Sequence, residues 1–193
     1  NLPDCSNMCH ESSGSALTET IGIGKGTVTL DDVHNADLLI VAGQNPGTNH
    51  PRMLSTLETA RRNGARIVAV NPLPEAGLLR FRNPQKVRGV LGRGTELATH
   101  HLQVRVNGDL ALFTLLGRRL LEDDLLDHDF IARHTDGFAA WADHVRSTDV
   151  GELTALAGID AAQLDEVHAV VGSASSIIVC WAMGLTQHRN SVA

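Results

Sequence analysis

The sequence predicts a doubly wound α/β fold, with a mainly parallel sheet and helices on both faces. Three observations predict it. Short unbroken apolar runs, closed by Gly or Asn, alternate with helical patterns. The core must be built from Leu, Val, Ile and Ala, because Tyr is absent and aromatics make up only 3% of the chain, a composition that suits buried parallel strands. A β-α-β unit is legible between residues 37 and 70.

That unit opens with Asp37-Leu38-Leu39-Ile40-Val41-Ala42, too short for a helix and apolar throughout, which reads as a buried strand closed by Gly43. After the loop Gly43–His50, Pro51 sits where a first helical residue belongs, since its fixed φ fits and its missing N–H is not needed there. Leu54, Leu57 and Ala60 share one helix face, Arg61 and Arg62 point outward, and Gly64 ends the helix. Arg66–Val70 is the second strand. The stretch from about 74 to 101 keeps no period, carries Pro74 and Pro84, and interleaves Arg80, Arg82, Lys86, Arg88 and Arg93; it reads as a long irregular insertion. A third strand is expected over Leu102–Val106, followed by the Asn107-Gly108 turn and a helix capped by Asp109 and lined by Leu110, Phe113, Leu116 and Leu120. Helices follow from Asp127 to His134 and from Phe138 to Val145. Asp149 with Glu152, and Asp160 with Gln163, have capping-box spacing, and Leu164, Val167 and Val171 stripe the last of these helices. Ser176–Trp181 is the fourth strand. Residues 1–193 read as one domain.

Composition bounds the function. A formal net charge of −6 argues against nucleic acid as a partner, which needs a basic footprint. No apolar run approaches the ~20 residues of a membrane span. Three cysteines, Cys5, Cys9 and Cys180, make no disulfide framework, so a reducing, cytoplasmic setting is expected. The start at Asn1-Leu2-Pro3-Asp4 and the end at Ser191-Val192-Ala193 both read as cuts through a longer polypeptide.

Open parallel sheets bind ligands beyond the carboxyl ends of their strands, where strand order reverses. Residues suited to such a rim are Asn45–Asn49, Asn71-Pro72-Leu73, Gly108-Asp109, and Met183-Gly184 with Gln187. The same Asn, Gly and Pro residues are also ordinary turn formers. Backbone N–H groups opening the helix after His50 favour an anion such as a pyrophosphate. Gly43-Gln44-Asn45-Pro46-Gly47 lacks the glycine spacing of a nicotinamide site, and the second strand ends in Asn71 rather than an acid. Gly22–Thr27 resembles a phosphate loop in outline but lacks its spacer and a preceding strand, so it reads as a turn. Cys5 and Cys9 match neither a zinc knuckle nor an iron–sulfur set, and Cys180 in mid-strand reads as a small buried residue. Cys9-His10 couples a soft thiolate ligand to a group that takes up a proton near neutrality. His100 and His101, if in a strand, point to opposite faces and cannot share a metal.

Taken in order, Asn7-Met8-Cys9-His10-Glu11, Gly43–Pro51, Asn71-Pro72-Leu73, Gly108–Leu112 and Trp181–His188 resemble the formate-dehydrogenase-type branch of the molybdopterin oxidoreductases, the dimethyl-sulfoxide-reductase superfamily. The resemblance implies a catalytic subunit several times longer than this chain. It would have an N-terminal [4Fe-4S] segment, two Rossmann-like domains that each grip a molybdopterin guanine dinucleotide, and a C-terminal barrel. This chain would be one of those two domains and inactive alone, its partners being the remaining domains of the same polypeptide and a small-molecule substrate. By resemblance Cys9 ligates the molybdenum and His10 assists proton removal. Asn45, Thr48 and Asn49 line phosphates and ribose; Asn71, Pro72, Leu73 and Asp109 lie near the nucleoside; Gly108 also binds cofactor; Met183, Gly184 and Gln187 approach the pterin. Two departures stand out. Formate dehydrogenases often carry Asp-Pro-Arg where this chain has Asn71-Pro72-Leu73, and the insertion here is longer and more basic. A redox-inactive nucleotide-binding or scaffold module is the alternative reading.

Overall fold

A computed structural model describes residues 9–92 and 94–192; Cys5, Asn7, Met8 and Arg93 lie outside the described residues. The chain divides into two compact units, residues 1–102 with 174–193, and residues 103–173.

The first unit begins with α1 (Glu11–Ile21) and α2 (Leu30–Asn35), followed by β1 (Leu38–Ala42), α3 (Pro46–Asn49), α4 (Pro51–Arg62) and β2 (Arg66–Val70). Next come α5 (Ala76–Leu79), α6 (Val87–Leu91) and β3 (His100–Leu102). The second unit is helical: α7 (Asp109–Glu122), α8 (His128–His134), α9 (Phe138–Ser147), α10 (Val150–Ala157) and α11 (Ala161–Gly172). The chain then returns to the first unit as β4 (Ile177–Trp181) and α12 (Met183–Thr186).

The four strands are ordered β3-β2-β1-β4 and every pairing is parallel, which is the expected doubly wound class. The sheet grows from β1 through β2 to β3 on one side, and β4 then pairs with the other side of β1. Strand order therefore reverses between β1 and β4. All five residues of β1 are buried, as its unbroken apolar run requires. Leu39 and Val41 pack with Ile67 and Ala69 of β2 and with Leu54, Leu57 and Ala60 of α4. Leu57 is fully buried, and truncating such a leucine to alanine costs about 2–5 kcal/mol. Gly64 takes φ +104° just after α4, the left-handed stop expected of it.

Four of the features read from the sequence differ in the structure. β3 lies at His100–Leu102, earlier than Leu102–Val106, because its pairing partner is β2, with Val68 opposite His100; two imidazoles hid the strand from an apolar pattern. The insertion is organised rather than featureless. Besides α5 and α6, Phe81 and Thr95 exchange two backbone hydrogen bonds of 2.8 Å. The cap of α7 is Gly108, and Asp109 is the first helical residue. β4 is half exposed, with Ile177, Val179 and Trp181 open and Cys180 intermediate rather than fully buried. Burial is nevertheless enough to push the Cys180 thiol above its usual pKa.

In the second unit, α7 buries Ala111, Leu112, Leu115 and Leu116, and α11 buries Leu164, Val167, Val170 and Val171. Arg119 pairs with Asp165 between these helices. Asp127, Asp149 and Asp160 accept from the backbone N–H of Phe130, Glu152 and Gln163 at 2.7–2.8 Å, so the N-cap half of each expected cap is formed.

Candidate functional site

The carboxyl ends of β1, β2 and β4 carry the loops that the sequence singled out. Gly43 ends β1 with φ +57°, and its N–H donates to Val70 O of β2 at 2.9 Å. On its other side Gly43 O accepts from Gly184 N–H at 3.0 Å. The two glycine backbones meet so closely that a Cβ on Gly184 would stand 2.4 Å from Gly43 Cα. A Cβ on Gly43 would in turn stand 2.6 Å from a Leu185 methyl. Side chains are excluded there because the post-β1 loop and the post-β4 segment press together at the order reversal, where open α/β sheets take their ligands.

Asn71, at the end of β2, is 8% exposed and donates its amide to Gln44 O at 3.0 Å, while its own N–H reaches Leu102 O of β3. One buried side chain thus ties the β1 loop to the β2 end. Asn45 caps α3 by accepting from Thr48 N–H at 3.1 Å and donates its amide to the Glu75 carboxylate. Thr48, Asn49, Pro72, Leu73, Met183, Gly184 and Gln187 are exposed on these loops. Cys9 and His10 are exposed just before α1, and Cys9 O accepts from Thr186 Oγ1 of α12 at 2.6 Å. The first unit therefore brings Cys9-His10, the Asn45–Asn49 loop, Asn71–Leu73 and Met183–Gln187 into one connected set. Gly108 and Asp109 belong to the second unit. There a Cβ on Gly108 would meet Leu156 O at 2.7 Å, so a glycine is required by packing against α10; Asp109 is 7% exposed.

Two residues were missed by sequence reasoning. Gln44 is 7% exposed; its amide nitrogen lies 3.2 Å from His50 Nδ1, and its Oε1 is buried with no hydrogen-bond partner among the described residues. A buried acceptor left unpaired is costly, which sets Gln44 apart from the other polar side chains of this loop. The other is Thr186, buried at 7%. Neither has a pattern signal of its own, since each depends on which loop folds against which. His100 and His101 do lie in a strand, and among the described residues no group of three or more His, Cys, Asp or Glu could hold a metal. Among the described residues no helix is long and apolar enough to cross a membrane.

No family model matches the chain. An oxidoreductase of Mycobacterium tuberculosis is 54% identical across 100% of the chain, which covers 26% of that protein. Formate dehydrogenase H of Escherichia coli is 26% identical, again across 100% of the chain and 24% of the relative. Among solved structures, acetylene hydratase from Pelobacter acetylenicus superposes with a TM-score of 0.74 at 17% identity, over 94% of this chain and 22% of that one, a likeness of fold. The chain spans about a quarter of the length of the relatives it matches. Its motif order and these relatives agree with the resemblance to the formate-dehydrogenase-like molybdopterin oxidoreductases, and its fold is similar to a segment of acetylene hydratase.

Proposed function

We propose that this chain is one cofactor-gripping domain of a molybdenum-dependent oxidoreductase resembling formate dehydrogenase. The intact protein would carry out a two-electron oxidation or reduction of a small substrate at a molybdenum bis(molybdopterin guanine dinucleotide) centre. The supporting observation is the joining of four distant segments at the reversal between β1 and β4, with Cys9 hydrogen-bonded into that set.

The residues present fit the group. The Gly43–Gly184 contact holds the two loops together at the strand-order reversal, and Gln44 Oε1, buried without a hydrogen-bond partner among the described residues, belongs to the loop that would meet the ligand. When bound, the cofactor would supply a metal that exchanges electron pairs with substrate. This chain would do the rest locally. Cys9 would present its exposed sulfur as a soft ligand to the metal, and His10, the next residue, would take the proton released from substrate. Thr48, Asn49 and Gln187 offer polar groups along the open rim, and exposed Met183 offers an apolar surface to a ring system. Asn45 and Asn71 have their amide nitrogens engaged within the protein, so their contribution is to shape the loops that meet the dinucleotide. Pro72 and Leu73 are assigned to the nucleoside end. The remaining domains of the polypeptide would supply the second pterin grip and the [4Fe-4S] cluster, in a cytoplasmic enzyme.

Elemental analysis and dye-reduction assays on the full-length protein, produced with molybdate, test this reading. Stoichiometric molybdenum with turnover that collapses in Cys9→Ala is expected. Full metal and undiminished turnover in Cys9→Ala would remove the thiolate from the centre.

A further inference from the structure

Cys9 is exposed, yet its position is set by side chains that lie far away in sequence. Thr186 Oγ1 donates to Cys9 O at 2.6 Å across 177 residues. Thr186 O accepts from Ser12 Oγ at 2.9 Å, and Trp181 Nε1 donates to Ser13 Oγ at 2.8 Å. The three bonds connect the start of α1 to β4 and α12. No residue of α1 is fully buried, so these bonds matter more to its placement than they would for a core helix.

The behaviour of Thr186 departs from that of four other helical threonines. Thr20, Thr59, Thr114 and Thr154 each donate the hydroxyl back to the carbonyl four residues earlier, at 2.7–3.0 Å. That is the default for a hydroxyl in a helix. Thr186 instead spends its proton on Cys9 O, from a buried site where the stiff χ1 of a β-branched residue fixes the direction of the bond.

We infer that Thr186 is a positioning residue for the Cys9 thiolate: its hydroxyl anchors the Cys9 backbone to the segment that also packs on Gly43, so thiol and cofactor rim move as one body. This rests on the reading of Cys9 as the metal ligand. Ser12 closes the clamp from the other side. An untethered Cys9 would ride on the exposed start of α1, and its sulfur would reach the metal in a spread of geometries.

The test uses the full-length protein carrying Thr186→Val, which keeps the shape and removes the donor, and Thr186→Ser, which keeps the donor. Hydrogen exchange over residues 14–18 is read on metal-free protein, and the molybdenum(V) electron paramagnetic resonance spectrum on loaded protein. In Thr186→Val, exchange is expected to rise about tenfold, the effect of losing one buried hydrogen bond. Its resonance lines should broaden or split, with both properties restored in Thr186→Ser. Faster exchange with an unaltered spectrum would make the tie merely structural and overturn the proposal. Unaltered exchange in Thr186→Val would overturn it at the first step. A spectrum that ignores Cys9→Ser would instead sink the ligand reading itself, which the exchange measurement does not depend on.

Discussion

Replacing Gly184 by alanine probes the contact on which the rim depends. The new Cβ would stand 2.4 Å from Gly43 Cα and 2.7 Å from Gly43 O. Carbon atoms rest at about 3.5–4.0 Å, so the two segments must part by about 1 Å or more. Parting them loosens the Gly184 N–H to Gly43 O bond, worth about 1 kcal/mol, and forces strain of about 1–3 kcal/mol into the packed loops. The sum is about 2–4 kcal/mol, which at about 1.4 kcal/mol per decade means a loss of protection of about thirtyfold or more. Hydrogen exchange of the full-length protein over residues 38–47 and 177–187 reads this directly, and molybdenum content should fall with it. Gly14→Ala is the control. Its Cβ meets nothing within 4 Å in the middle of α1, so it should stabilise that helix by about 0.5–1 kcal/mol. Protection in Gly184→Ala within about threefold of the parent would refute the reasoning, because a real clash cannot be that cheap.

Other outcomes follow from the same structure. Glu58 is 3% exposed on α4; burial alone would raise its pKa, but hydrogen bonds from Lys86, Asn83 and Thr95 and the charge of Arg62 hold it at about 2 instead of 4.5. The folded state thus favours the carboxylate. At about 1.4 kcal/mol per pH unit, stability of about 3 kcal/mol is fully present above pH 4.5 and lost as pH falls toward 2. Urea unfolding at several pH values should show that slope over this window and lose it in Glu58→Gln; an unchanged slope would contradict the network. Thr29 and Asp32 form a reciprocal capping box at α2, so Thr29→Ala should cost about 1 kcal/mol in local exchange at α2, with Thr29→Ser near neutral. In metal-free protein, iodoacetamide should label exposed Cys9 several times faster than Cys180, whose thiol is held above its usual pKa by burial. Mass spectrometry of the labelled peptides decides the order.

The fold was legible where one physical effect dominates. β1, α4 and β2 announce themselves because burial of an apolar run and a proline at the first helical position leave no competing structure. Elements held by longer-range effects were less visible. α1 opens with Glu-Ser-Ser-Gly-Ser and has no fully buried residue, so no apolar stripe marks it. α2 carried a readable sign in Thr29 and Asp32, but its six residues are too few for periodicity. The insertion looked formless because its order comes from one buried acid, Glu58, collecting Lys86, Asn83 and Thr95 from across the loop. Of the candidate site, the residue types at the strand ends could be read, whereas their convergence could not. That convergence depends on Gly43 meeting Gly184, 141 positions along the chain, and on buried Gln44 and Thr186, which carry no motif.

X-ray absorption at the molybdenum edge of the full-length, cofactor-loaded protein reaches the central claim most directly. A shell that contains a sulfur from the polypeptide, and loses it in Cys9→Ser while the pterin sulfurs stay, is the predicted result. Identical sulfur shells in the parent and in Cys9→Ser would contradict the account, since the metal would then sit at this rim without the thiol that the fold brings there.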